Sequence, residues 1–274
     1  MNPNWEQLLG HLEQVMASGT DEGLQVDAMK KLAYLCNCVP EEILNRTIPI
    51  LAKVLGDNDS FDATSGGLEI VVAMLKLCND DTRRYLLEIF SALTLMREVR
   101  SVLSSLGGLR FLVEAARFGS MISRERACQA IGLLGFRRLA RRRHVELGVI
   151  PVLVELFRVG DSTTKVVAGN SLGVISVYVD YIRLAAESEA IPLYAELLQG
   201  PDFIGKEIAE DVFCILAVAE ENTVSIAEHL VRILKEGDDK SKTAAADVFC
   251  DLSDYKHSIP VVRSSGAIPI MVNL

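Results

Sequence analysis

Six cysteines and four histidines are the residues of this chain whose types could support disulfide, metal or nucleophilic chemistry. Cys36-Asn37-Cys38 is too close for a relaxed disulfide and has no second pair to complete a zinc site. Cys78, Cys128, Cys214 and Cys250 lie within apolar helical patterns. His11, His144, His229 and His257 are scattered, none at ligand spacing from a cysteine or carboxylate. No phosphate-binding loop, dinucleotide fingerprint, His-Glu-x-x-His or Gly-x-Ser-x-Gly occurs. Gly107-Gly108 has phosphate-loop composition but reads as a turn. The expectation is a non-enzymatic chain with no catalytic, cofactor-binding or metal-binding residues.

Charge offers more. Seven arginines, Arg124, Arg126, Arg137, Arg138, Arg141, Arg142 and Arg143, fall between residues 124 and 143 of a chain whose formal net charge is −9. Such a ridge suits a phosphate, nucleic acid, anionic lipid or acidic partner, or a nuclear-import signal, unless carboxylates such as Glu125, Glu146 and Glu155 pair with it. The acidic total and the lack of interleaved aromatics disfavour nucleic acid. No apolar run is long enough to span a bilayer, and Met1-Asn2-Pro3-Asn4-Trp5-Glu6 lacks a signal-peptide pattern. The chain reads as soluble and unsecreted, in the cytoplasm, the nucleus or both.

The elements that must position these residues repeat. Gly148-Val149-Ile150-Pro151-Val152-Leu153-Val154-Glu155-Leu156-Phe157 aligns without a gap on Glu189-Ala190-Ile191-Pro192-Leu193-Tyr194-Ala195-Glu196-Leu197-Leu198. With Ile150 as anchor, the equivalents are Leu68, Leu109, Ile150, Ile191, Ala227 and Ile268, separated by 41, 41, 41, 36 and 41 residues. Proline sits in the first turn at Pro151, Pro192 and Pro269. Gly119, Gly160, Gly200 and Gly237 close the same helix, as residues needing positive φ would. Asp161, Asp202 and Asp238 follow, suited to a turn or an N-cap. Apolar residues at helical spacing then predict a second long helix, over Ala127 to Gly135, Ala168 to Ser176, Ala209 to Ala217 and Ala245 to Leu252. Short segments, Arg138 to Leu147 and Tyr181 to Ser188, lead into the next copy.

Two long helices and one short helix in about 41 residues, with Gly-x-Ile-Pro opening one and Ala-x-x-x-Leu-like spacing in the next, resembles the armadillo repeat. The stretch from Asp247 to Pro269 is similar to plant-type armadillo proteins. The resemblance implies an all-α, right-handed α-solenoid. Residues 65–274 would form the array with an incomplete last repeat, and residues 1–64 an irregular helical cap. The phasing between 48 and 109 stays open, as does the possibility that the chain is a fragment of a longer array. Equivalent cysteines would lie about one helix diameter, roughly 10 Å, apart, whereas a disulfide tolerates Cα atoms no more than about 7 Å apart. Buried, reduced thiols are expected.

The resemblance also implies that the third helices line a concave groove. Family members hold a ligand's backbone there with an asparagine six residues after the helix's leading alanine. They often place tryptophan two residues after that alanine. Here the asparagine positions read Tyr34, Ala92, Leu133, Val174, Ile215 and Asp251, and the tryptophan positions Lys30, Glu88, Gln129, Asn170, Asp211 and Asp247. The peptide-holding ladder is missing, and acidity replaces it. Glu88, Gln129, Asn170, Asp211, Asp247 and Asp251 are therefore the candidate groove residues, for a basic or amphipathic segment of a protein partner. Arg137, Arg138, Arg141, Arg142 and Arg143 form the alternative, anion-binding ridge. The leading expectation is an interaction scaffold or adaptor; the oligomeric state is not readable from the sequence.

Overall fold

The computed structural model describes residues 107–273 throughout, together with position 14 and scattered positions between 71 and 103. Glu88, Leu68 and the cysteines at 36, 38 and 78 lie outside the described residues, as does the proposed division at 64/65. The described residues are helical, without strands. In chain order the helices are α1 (Arg97–Leu103), α2 (Leu109–Phe118), α3 (Met121–Gly135), α4 (Arg138–Glu146), α5 (Val149–Val159), α6 (Ser162–Ile175) and α7 (Val179–Glu187). There follow α8 (Ala190–Gln199), α9 (Phe203–Leu216), α10 (Thr223–Glu236), α11 (Asp239–Leu252), α12 (Ile259–Ser264) and α13 (Ala267–Met271). The chain divides into two compact units, Met1–Ala130 and Ile131–Leu274, the boundary falling within α3.

In the C-terminal unit the repeating motif is a short helix followed by a pair of long ones. α5 packs on α6, α8 on α9 and α10 on α11, while the third helices α6, α9 and α11 stack side by side. Alanine at 168, 209 and 245 is fully buried on that stack, which lets helix backbones approach closely. Tyr194 of α8 is the centre of the core. Its ring meets Phe157 at 4.8 Å and Phe213 at 6.3 Å, both edge to face, and its hydroxyl donates to the Gly169 carbonyl at 2.7 Å. A fully buried tyrosine is tolerated because that hydrogen bond satisfies its only polar atom.

Several sequence expectations hold. Asp161, Asp202 and Asp238 each accept from the backbone N–H three residues on, at 2.8, 2.9 and 2.7 Å, and so cap α6, α9 and α11. Gly107-Gly108 is a turn. Cys128, Cys214 and Cys250 are free thiols, but only Cys128 is buried as expected; Cys214 is half-buried and Cys250 exposed. Small residues at the cysteine-equivalent positions are needed: a Cβ on Gly132 would lie 2.6 Å from Ser171 Oγ, and one on Gly173 would lie 2.4 Å from Val212.

Three expectations are corrected. The glycines closing the second helices do not adopt positive φ. Gly119, Gly160, Gly200 and Gly237 are extended, with φ of −66°, −66°, −64° and −71°. Glycine is required there for space, since a Cβ on Gly160 or Gly237 would sit 2.7 Å from the carbonyl oxygen four residues back. The left-handed residue instead opens the second helix, at Gly107, Gly148 and Gly266 and at Glu189, whose φ is 66°. The long third helices also begin about a turn and a half before the alanines, at their aspartate caps, because the first turns of α6 and α11 are polar and Phe203 and Ile204, which open α9, are exposed and off the core-facing stripe. Finally, Ala227 does not open a helix. It is inside α10, which starts at Thr223, and the short helix of that repeat is replaced by a 3-10 turn, Glu220–Asn222. The repeat is five residues shorter, and those residues are taken from the short helix.

Candidate partner-binding surface

Each third helix buries one stripe and leaves the opposite one in solvent. In α9, Ala209, Val212, Phe213 and Leu216 face the core, while Asp211 is exposed and Glu210 and Ile215 are half-buried. In α11 the buried Ala244, Ala245, Val248, Phe249 and Leu252 leave Asp247 and Asp251 exposed, one turn apart. In α6, Asn170 is exposed and Val174 half-buried. Gln129 is exposed on the part of α3 that belongs to the N-terminal unit.

The acids of α9 and α11 act on one another. The Glu210 carboxyl is raised above the ordinary carboxylate range, first by partial burial and then by the charges of Asp247, Glu207, Asp211 and Asp251. Cys214 Sγ donates to Asp251 Oδ2 at 3.7 Å, and its thiol is pushed up to about 12 by burial and then by the Asp251 charge. A thiol so far from ionising is no nucleophile. No group of histidine, cysteine and carboxylate side chains among the described residues could hold a metal ion. No helix of the described residues is long and apolar enough to cross a membrane.

Beside these acids lies a cleft of about 230 Å³. Phe136, Val174, Val177 and Ile215 form its apolar walls, and Asn170, Asp211 and Arg141 supply polar groups. The structure thus brings together Asn170 and Asp211 from the predicted groove with Arg141 from the predicted ridge. Arg141 is held by a hydrogen bond from Nε to the Gly135 carbonyl at 2.6 Å, and its guanidinium lies over the Tyr178 ring, 5.2 Å from the centroid.

The rest of the ridge divides. Arg142 Nε and Arg143 Nη1 both donate to Glu146, at 2.9 and 3.1 Å, as the sequence allowed, and these bonds hold the Glu146 carboxyl below its usual range. Arg137 and Arg138 are exposed. Arg124, in the N-terminal unit, donates through Nε to the Ala116 carbonyl at 3.0 Å.

Two features escaped the sequence reading. Glu207 and Glu210 join the acidic surface but lie outside the two positions per repeat that the resemblance singled out; the spacing of Glu207 and Asp211, one turn apart, was the available signal. The other is a ladder of cations. Arg83, Arg124 and Lys206 each donate to the carbonyl eight residues back, Leu75, Ala116 and Leu198, at 2.7, 3.0 and 2.5 Å. The Ala116 and Leu198 carbonyls sit near the ends of the second helices α2 and α8, where a cation also complements the helix dipole. Lys165 and Lys242 occupy the same register.

No protein-family model and no curated protein matches the chain. Among solved structures, it is similar to the designed armadillo repeat protein YIII(Dq)4CqI, with a TM-score of 0.58 at 18% identity over 76% of this chain and 91% of that one. A designed armadillo repeat protein in complex with the peptide (KR)4 matches with a TM-score of 0.55 at 16% identity, covering 88% of this chain and 98% of that one. A third match is a chain from a study of a phosphorylation switch controlling the interaction between cadherin and beta-catenin. Its TM-score is 0.67 at 15% identity, over 95% of this chain and 56% of that one. The fold is an all-α repeat solenoid of the armadillo type.

Proposed function

We propose that this chain is a non-enzymatic interaction scaffold that binds a basic, amphipathic segment of a partner protein along the exposed face of its third helices. The observation that carries this reading is an apolar cleft, walled by Val174 and Ile215, with Asp211 in its lining, together with the charges of Asp247, Glu207, Asp211 and Asp251 that act on Glu210. An apolar side chain of the partner fills the cleft, and its lysines and arginines meet the acids. A structurally similar designed armadillo repeat protein in complex with the peptide (KR)4 supports the basic part of this reading. Without the asparagine ladder, recognition here rests on side-chain charge and apolar contact more than on clamping of the ligand's backbone.

Fluorescence anisotropy with a labelled peptide of lysines and arginines around a central leucine tests the reading. The triple variant Asp211→Asn, Asp247→Asn, Asp251→Asn is expected to bind at least about tenfold more weakly, in line with loss of complementary charges. Equal affinity in the variant would remove the acidic face from the account.

A further inference from the structure

A second exposed surface lies on the short helices. Leu139 of α4 is 84% exposed, a value far from that of a side chain serving the core. α4 buries only Ala140 and His144. Between α4 and α7 is a recess of about 350 Å³ lined by Arg138, Leu139, Arg142, Tyr178, Asp180 and Tyr181. One wall is held in place: Tyr178 and Tyr181 meet edge to face at 5.7 Å, and the Arg141 guanidinium covers Tyr178. A wall fixed before binding loses little freedom when a ligand arrives.

We propose that the α4–α7 recess is a separate docking site for an acidic protein segment that carries an apolar anchor residue. The anchor enters between Leu139 and the tyrosines, and its flanking carboxylates meet Arg138 and Arg142. Charge complementarity selects this occupant. Arg138 is exposed, and among the described residues Arg142 is engaged only by the exposed, one-turn pair to Glu146. Such an exposed pair contributes little, so a partner's carboxylate can replace Glu146 at little cost. A bare anion would leave the apolar wall unused. A bilayer surface fits poorly, because the site is concave and Asp180 lies in its lining. The proposal does not rest on the acidic face of the third helices.

Selection from a random-peptide display library on the intact chain, counter-selected on the variant Arg138→Glu, Leu139→Ser, reads the partner chemistry directly. The expected winners carry Asp or Glu around a Leu, Ile or Phe. A synthetic consensus peptide should lose at least about tenfold in affinity on Leu139→Ser alone and keep its affinity on the triple-Asn variant. Circular dichroism checks that each variant stays helical, and Leu139→Ala replaces any that does not. The proposal is overturned by winners without acidic residues, by equal or absent enrichment on the two targets, or by Leu139-dependent sedimentation of the chain with phosphatidylserine vesicles.

Discussion

Lys206, buried in the first turns of α9, donates from Nζ to the Leu198 carbonyl of the preceding helix and, at 2.8 Å, to Ser241 Oγ of the next repeat. One side chain thus joins three helices, closing the end of α8 and tying α9 to α11. Lys206→Met keeps the aliphatic stem but strands a carbonyl and a hydroxyl. The loss should be about 1–3 kcal/mol in urea unfolding, and Lys165→Met, at a half-exposed rung, should cost less.

His144 predicts a dependence on acid. It is fully buried, neither ring nitrogen meets a hydrogen-bonding partner among the described residues, and burial lowers its pKa to about 4. The folded chain holds it neutral, whereas the unfolded chain takes up a proton below about pH 6.5. Its contribution is therefore complete above that pH and falls as the pH drops towards 4, by about 3 kcal/mol in all. Denaturant midpoints measured across this window should fall for wild type relative to His144→Leu as the pH is lowered. Parallel curves would contradict the assignment.

Glu210 has the opposite sign. Its carboxyl is raised by partial burial and by four neighbouring acids, so ionisation works against folding. Stability gains as the pH falls from its raised folded value towards the ordinary carboxylate value. Glu210→Gln should be neutral to stabilising at pH 7, with the difference vanishing in acid. The same protonation thins the negative surface, so affinity for a basic peptide should weaken over that range. Thermal melts and anisotropy at matched pH check both.

The third-helix stack depends on close approach. Gly173→Ala would place a methyl 2.4 Å from Val212 of the adjacent helix and should cost about 1–3 kcal/mol by overpacking. Gly237→Ala, against the Ile233 carbonyl, tests the extended glycine. Were positive φ the requirement, Gly237→Asn would be tolerated; a steric requirement predicts that it destabilises like alanine. Chemical denaturation distinguishes the two.

The repeat was legible because proline, aspartate caps and apolar spacing recur at fixed intervals from Leu109 to Ile268. The third helices' beginnings were not, since first turns such as Ser162-Thr163-Thr164 carry no apolar period and are held by Asp161. Nor was the glycine mechanism: Gly160 and Gly148 are the same letter, but one lacks room for a Cβ and the other has φ of 74°. Asp211 and Asp247 could be placed on an exposed face by register alone. That Arg141 would turn into the cleft with Asp211, instead of joining Arg142 and Arg143 at Glu146, depends on its bond to Gly135 and its contact with Tyr178, which no spacing encodes.

Photo-crosslinking locates the partner segment most directly. A basic peptide with benzoylphenylalanine at its central apolar position, irradiated with the intact chain and mapped by mass spectrometry, should attach to the cleft, at Val174, Val177 or Ile215. Crosslinks confined to the second helices α5 and α8, or spread evenly over the chain, would contradict the assignment of the third-helix face as the binding surface.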